Sequence, residues 1–238
     1  MQVSIKKKCR RRSNRLLDAL PAEEKTRVDP NGAVVDLLSG EVLYEQGTSI
    51  NDVFFPCTAV ASLQTIMQDG KTVGVATVGN EGMLGVPRFL GAKNATARGI
   101  VLVPGEAVRM GGDVFEELLK SNATLHRLVR RYAHAQLTEI TRSAGCNRLH
   151  SVEQRCSRWL LTAHDRADTD EFPLTQENLA DMLGIRRQTA AITLGTLEDT
   201  QLVQSSRGKI RILNRQGLEA LSCECYHVIK DELDSILT

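Results

Sequence analysis

The sequence predicts an α+β chain: a run of short antiparallel strands, one long helix, then a compact helix pair followed by a basic hairpin. Three observations predict it. Between Val34 and Val78, five short segments rich in Val, Leu, Thr and aromatic residues are separated by glycine-bearing turn dipeptides. From Ala123 to Asn147, apolar or small residues recur at spacings of three and four. Residues 174–198, LTQENLADMLGIRRQTAAITLGTLE, hold two amphipathic patterns joined at Gly184.

Composition sets the limits. A chain of 238 residues can build two modest domains. Hydrophobic content of 42% and charged content of 25% are ordinary for a globular protein. No apolar run is long enough to cross a bilayer, so no membrane partner is expected. The N-terminal MQVSIKKKCRRRSNR is basic, with no apolar core behind it, so it is no secretory signal. The expected location is the cytoplasm. Cysteines at 9, 57, 146, 156, 223 and 225 are too sparse for a disulfide framework, and reduced thiols are expected. The net charge of +1 does not itself point to nucleic acid. Local clusters are more informative: Lys6 to Arg15, Arg186-Arg187, and Arg207, Lys209, Arg211 and Arg215. The first reads as a flexible basic tail over residues 1–14.

The elements follow in order. Arg15 to Thr26 is a short helix interrupted at Pro21. Strands are expected at Val34–Leu38, Glu41–Glu45, Val53–Phe55, Ala59–Met67 and Thr72–Val78, packed as an antiparallel sandwich or barrel. Asp69-Gly70 suits a type I′ hairpin turn, and a further strand pair should flank Val103-Pro104-Gly105-Glu106. A short helix begins at Asp113. Residues 15–121 thus form the β domain, and 122–148 the long helix. Leu125, Leu128, Val129, Tyr132, Gln136 and Ile140 make a narrow stripe along it, read as a dimer contact. Packing against its own β domain is the alternative, and the two can hold together. Ser151 to Arg166 forms a further amphipathic helix, and 167–172 a polar loop ending at Pro173. Residues 149–238 make the last domain.

The helix pair carries the function. Thr175 is the expected cap of its first helix, with Glu177 in the first turn where the helix dipole favours an acid. Gly184 ends that helix in the left-handed conformation. In the second helix Ala190, Thr193, Leu194 and Leu197 recur at i, i+3, i+4 and i+7 and must face inward. Arg187, Gln188, Ala191 and Ile192 then point out. Arg pairs bidentately with guanine and Gln with adenine, while apolar side chains touch thymine methyls. Arg186 stands where a Ser, Thr, Asp or Asn cap would suit, which hints that the helix start faces phosphate. The next residues, 202–213, read as a β-hairpin with a basic tip. Arg207 and Lys209 there are phosphate candidates. This is a winged helix-turn-helix pattern, and its partner is double-stranded DNA.

With those residues in view, the sequence resembles the Crp/Fnr family of bacterial transcription regulators over roughly 15–221. The supporting segments are GEVLYEQG (40–47), VFFPCTAVASL (53–63), VGNEGMLGVP (78–87), CNRLHSVEQRCSRWLL (146–161) and LTQENLADMLGIRRQT (174–189). The resemblance implies a sensory β-roll, a jelly roll of the cyclic-nucleotide-binding type. It also implies a homodimer joined through the long helix and contact with RNA polymerase. By motif position it makes Arg187 and Gln188 base readers, Arg186 and Thr189 phosphate or supporting contacts, and Thr175 and Gln176 backbone contacts. DNA-bound dimers of this kind read near-palindromes.

The departures bear on cofactors. Cyclic-nucleotide members carry a Gly-Glu pair and an Arg followed by Ser or Thr. Here the matching effector-pocket residues are Gly82-Met83 and Arg98-Gly99, so the ribose-binding acid and the hydroxyl are missing. This speaks against cyclic AMP, and Arg98 reads more simply as a surface ion-pair partner. Iron–sulfur members cluster cysteines near the N-terminus, where this chain has Cys9 alone, so a four-thiolate cluster is unsupported. Cys223-Glu-Cys225-Tyr-His227 invites a metal reading. Residues two apart on one helix diverge, however, so no metal and no cofactor are expected. Catalysis is not expected, because a β-roll enzyme needs histidines on its strands and the first here is His126. A module whose helix pair no longer binds DNA is disfavoured by the intact Arg187-Gln188 face. The sequence leaves open the effector, the target genes, the sign of regulation and the role of Cys223 and Cys225.

Overall fold

In the computed structural model, residues 9, 13–167 and 169–236 are described. The expected tail over 1–14 falls almost wholly outside them. Cys9 is bonded to Cys57, so the expectation of reduced thiols is corrected for this pair. A separation of 48 residues hid a contact that only the fold creates. Cys146, Cys156, Cys223 and Cys225 are free and buried.

The chain opens with α1 (Arg15–Asp18), whose first turn is held by the Asn14 side chain accepting from the Leu16 and Leu17 amides. Pro21 separates it from α2 (Ala22–Val28), as expected. Strands β1 (Ala33–Leu37), β2 (Val42–Tyr44), β3 (Asp52–Pro56), β4 (Val60–Ile66) and β5 (Thr72–Val78) follow. Then come the short α3 (Val86–Phe89), β6 (Arg98–Val103) and β7 (Gly105–Gly111). They form two antiparallel sheets in the orders β1-β7-β3 and β2-β6-β4-β5. Their facing residues, among them Val53, Phe55, Val101, Ala107 and Met110, are buried in a common core.

Two expectations about turns are corrected. Asp69-Gly70 does not form a type I′ turn, because only Gly70 has positive φ, at 82°. The Met67 amide donates to Lys71 and the Gly70 amide to Met67, which makes a three-residue loop closed by a left-handed glycine. Around Pro104, β6 and β7 are consecutive but do not pair. β6 bonds β2 and β4, while β7 bonds β1 and β3. Proline cannot donate to a ladder, and here the chain passes from one sheet to the other.

Helix α4 (Gly112–Ser121) leads to α5 (Ala123–Leu149), which the Asn122 side chain caps by accepting from the Leu125 amide. The remaining elements are α6 (Val152–Ala167), β8 (Glu171–Pro173), α7 (Gln176–Leu183), α8 (Arg187–Asp199), β9 (Val203–Ser206), β10 (Lys209–Ile212), α9 (Arg215–Leu221) and α10 (Cys225–Ser235). The stretch expected as a polar loop ends in a strand. β8 pairs with β10, which pairs with β9. A second core gathers Trp159, Leu160, Phe172, Leu179, Leu194, Leu197 and Leu218, and Val60, Leu102 and Val103 of the β domain join it.

Two boundaries shift. Helix α10 does not belong wholly to the last domain, because Ile229, Leu233 and Ile236 enter the first core. On α5, the stripe read as a dimer seam faces inward. Leu125, Leu128, Val129, Tyr132 and Gln136 are buried within the protomer, and Ile140 packs against the same core. The widest apolar stripe on a helix serves the largest apolar neighbour, which here is the β domain. The exposed strip is His134, Leu137, Thr141, Gly145 and Leu149, with Leu137 60% and Leu149 79% exposed.

Candidate nucleic-acid interface

The first helix of the pair starts as the sequence dictates. Thr175 Oγ1 accepts from the Asn178 amide at 3.0 Å, and Asn178 Oδ1 accepts from the Thr175 amide at 3.3 Å. This reciprocal box satisfies two amides that an unprotected helix start would orphan. Gln176 and Glu177 are exposed beside it. Gly184, at φ 63°, ends α7 in the left-handed region. Its backbone leaves room for Val73 Cγ2, 3.0 Å from where a Cβ would stand. The same contact surface brings the Met182 backbone onto Gly74, so α7 lies directly on β5 of the β domain.

Helix α8 begins at Arg187 with Arg186 at its cap position, which makes no side-chain capping bond. The four residues expected inside, Ala190, Thr193, Leu194 and Leu197, are its buried residues. Arg187 and Gln188 are exposed at its first turn, Ile192 is 65% exposed, and Ala191 and Thr189 are half-buried. Arg186 is exposed as well. The polar and apolar side chains expected to read bases therefore share one outward face.

The wing is a two-residue hairpin. Arg207 and Gly208 have φ of 49° and 78°, the double positive φ of a type I′ turn. Strand registers Lys209↔Ser206 through Ile212↔Val203 fix it. The Gly208 carbonyl accepts from the Leu174 amide at 2.8 Å, anchoring the tip beside the start of α7. A cleft between them is lined by Thr175, Gln176, Arg187, Arg207 and Lys209. Four of the expected backbone contacts, from the start of α7 and from the hairpin, thus converge with Arg187 of α8.

Glu171 on β8 is a group that the sequence reading missed. Its carboxylate accepts from Arg211 Nη2 at 2.8 Å and Lys209 Nζ at 3.1 Å. The Arg211 and Lys209 hydrogen bonds hold it below the usual carboxylate range. Lys209, expected as a phosphate contact, thus already carries an exposed ion pair, while Arg207 stands exposed at the tip. The signal was present as an acid two residues before Pro173, but its strand pairing was not.

Two of the expected effector-pocket residues, Gly82 and Gly99, each stand against an aromatic side chain. A Cβ on Gly82 would lie 2.2 Å from Tyr132 Cε2, and one on Gly99 would lie 2.8 Å from Tyr44 Cζ. Met83 is fully buried. Arg98 Nε pairs with Glu45 Oε2 at 2.8 Å on the surface, the simpler of its two readings. Two tyrosine rings thus lie directly against the backbone at two of the four positions. Burial holds both phenols well above their usual pKa.

A buried ion network links the β domain to the helix pair's domain, and it too was missed. Arg166 of α6 pairs through Nε with Glu81 at 2.8 Å and through Nη2 with Glu139 of α5 at 3.1 Å. All three are at most 6% exposed. The carboxylates are further satisfied by backbone amides, Gly79 for Glu81 and Thr77 for Glu139. Glu139 stands three residues after Gln136 on the buried side of α5, which was the available clue.

Two domain families match the chain. Residues 34–122 match the cyclic nucleotide-binding domain, and residues 154–221 match the Crp-like helix-turn-helix domain. The probable transcriptional regulator flp of Lacticaseibacillus casei is 26% identical over 202 residues, covering 80% of this chain and 91% of that protein. The nitrogen fixation regulation protein FixK of Bradyrhizobium diazoefficiens is 23% identical over 223 residues, covering 90% and 92%. Among solved structures, FixK2 from Bradyrhizobium japonicum superposes with a TM-score of 0.66 at 15% identity, over 81% of this chain and 98% of that one. TTHB099 of Thermus thermophilus, a CRP-family transcriptional regulator, gives 0.65 at 17% identity over 79% and 96%. At these identities the structures speak for the fold.

Proposed function

The chain belongs to the Crp/Fnr family of DNA-binding transcription regulators, and from that premise we propose that it reads a near-palindromic DNA site as a homodimer. The observation that carries this is the outward face of α8, where Arg187 and Gln188 stand exposed while Ala190, Thr193, Leu194 and Leu197 anchor the helix. Each α8 enters one major groove. Arg187 and Gln188 read base edges, and Ile192 and Ala191 touch thymine methyls. Arg207, Arg186 and the α7 start hold phosphates, which fixes register without reading sequence. Lys209 joins them by releasing Glu171, a small cost because both groups are solvent-exposed.

The partner copy docks on the exposed strip of α5, Leu137 to Leu149, in place of the buried stripe. Two-fold symmetry then spaces the half-sites by about one helical turn. RNA polymerase is the downstream partner that the family implies, and the cytoplasm the place of action. We infer that the effector is something other than cyclic AMP, a reading supported by the tyrosine rings behind Gly82 and Gly99 and by the pairing of Arg98.

Selection of bound duplexes from a random pool yields the site, and mobility shifts on it test the readers. Arg187→Ala should lose about 1–3 kcal/mol on the selected site and relax preference at one base pair. An equal loss on every sequence would remove Arg187 from the reading role.

A further inference from the structure

At the far end of α5, a second cluster forms that the DNA reading does not use. Cys146 lies in the last turn of α5, His150 caps its C-terminus, and Cys223 and Cys225 flank the junction of α9 and α10. One ligand atom from each of the four lies within 4.8 Å of all the others. The three sulfurs are almost fully buried. The reason for expecting no metal here is corrected: Cys223 precedes the helix that Cys225 begins, so the two do not share one helix and can converge.

We propose that Cys146, His150, Cys223 and Cys225 bind one thiophilic divalent metal ion of the zinc class. Zinc bonds to thiolate at about 2.3 Å, so a tetrahedral site needs ligand atoms about 3.8 Å apart. Cys146 Sγ and Cys223 Sγ are 3.5 Å apart, and Cys225 Sγ and His150 Nδ1 are 3.9 Å apart. Three thiolates and an imidazole are a closed structural set for such an ion. A polynuclear iron–sulfur cluster interposes several atoms between its thiolates and needs a wider shell.

The surroundings fit as well. The other ring nitrogen, His150 Nε2, lies 3.3 Å from the Glu224 carboxylate. A carboxylate there fixes the tautomer that leaves Nδ1 free to ligate. Three thiolates on a divalent ion carry one net negative charge. Two buried guanidiniums, Arg155 and Arg158, interact with Cys146, and each has an Nε with no hydrogen-bond partner. An anionic metal–thiolate centre supplies the charge that these cations otherwise lack. Once bound, the ion ties the end of the long helix to the segment that carries α10.

The test uses the full chain, purified under reducing, oxygen-free conditions. Elemental analysis should find one equivalent of zinc per chain. After chelation, titration with Co2+ should give the strong visible bands of tetrahedral cobalt and thiolate charge transfer, saturating at one equivalent and displaced by zinc. Cys225→Ser should lose most of the charge transfer. Glu224→Gln changes an exposed side chain, so the fold is spared, and should weaken Co2+ affinity by about 10–100-fold. A protein that takes up no ion and carries a Cys146–Cys223 disulfide overturns the proposal. So does iron accompanied by inorganic sulfide, a weak octahedral cobalt spectrum, or unchanged cobalt affinity in Glu224→Gln together with unchanged bands in Cys225→Ser.

Discussion

Replacing Arg166 by Met tests whether the buried ion network holds the two domains together. The side chains have similar length, so the change removes charge and hydrogen bonds with little loss of volume. Glu81 and Glu139 are then left 6% and 3% exposed with no cation between them. Two carboxylates bridged by one guanidinium sit about 5 Å apart, and at an effective dielectric of about 20 they repel by about 3 kcal/mol. Breaking a buried pair by removing one partner costs about 3–5 kcal/mol, consistent with that figure. For a chain of this size each kcal/mol is worth about 2–4 °C, so the melting temperature should fall by about 6–20 °C near pH 8. Calorimetry of both proteins near that pH reads this directly. A deficit below about 1 kcal/mol would refute the account.

Three further outcomes follow from the geometry. Leu137→Glu places a charge on the exposed strip of α5, and sedimentation should show loss of the dimer with the protomer fold kept. A dimer that survives would move the interface elsewhere. Arg207→Asn keeps a residue that tolerates positive φ while deleting the tip charge, so thermal stability should hold or rise. Its DNA affinity should fall on all sequences alike, and the salt slope should drop by about one, measured by fluorescence anisotropy. Gly82→Ala drives a methyl into Tyr132 and should cost about 1–3 kcal/mol in denaturant unfolding. An unchanged midpoint would mean the ring can move aside.

What was legible in the sequence was local. The capping of α7 by Thr175, the left-handed Gly184 and the inward face of α8 each depend on residues within one or two turns, and each stands as read. What was not legible depended on which distant surface a stripe meets. The α5 stripe through Leu125 and Tyr132 has the same periodicity whether its neighbour is a second copy or a β domain, so periodicity alone could not separate the two. Glu171 and Lys209 lie 38 residues apart, and their ion pair follows from strand register. Cys223 lies two residues before the start of α10 at Cys225, and a helix boundary is not fixed to that precision by sequence.

These corrections bear on how the reading head is controlled. Near the middle of α5, Glu139 fixes Arg166 of α6. At its end, Cys146 and His150 face the junction that starts α10. Between them, α7 rests on β5 through Met182 and Gly74. The helix pair's domain is therefore held to the β domain at several places, among them one ionic, one thiol-rich and one through the backbone of α7. A signal that reorients α8 must loosen at least one of them. The ionic link is buried and satisfied on every side, which makes it costly to open. The thiol cluster is the one whose state a small diffusible species can change, by metal loading or by oxidation of Cys146 with Cys223. With the ionic link closed on every side, the thiol cluster is the contact of these that is open to chemical change.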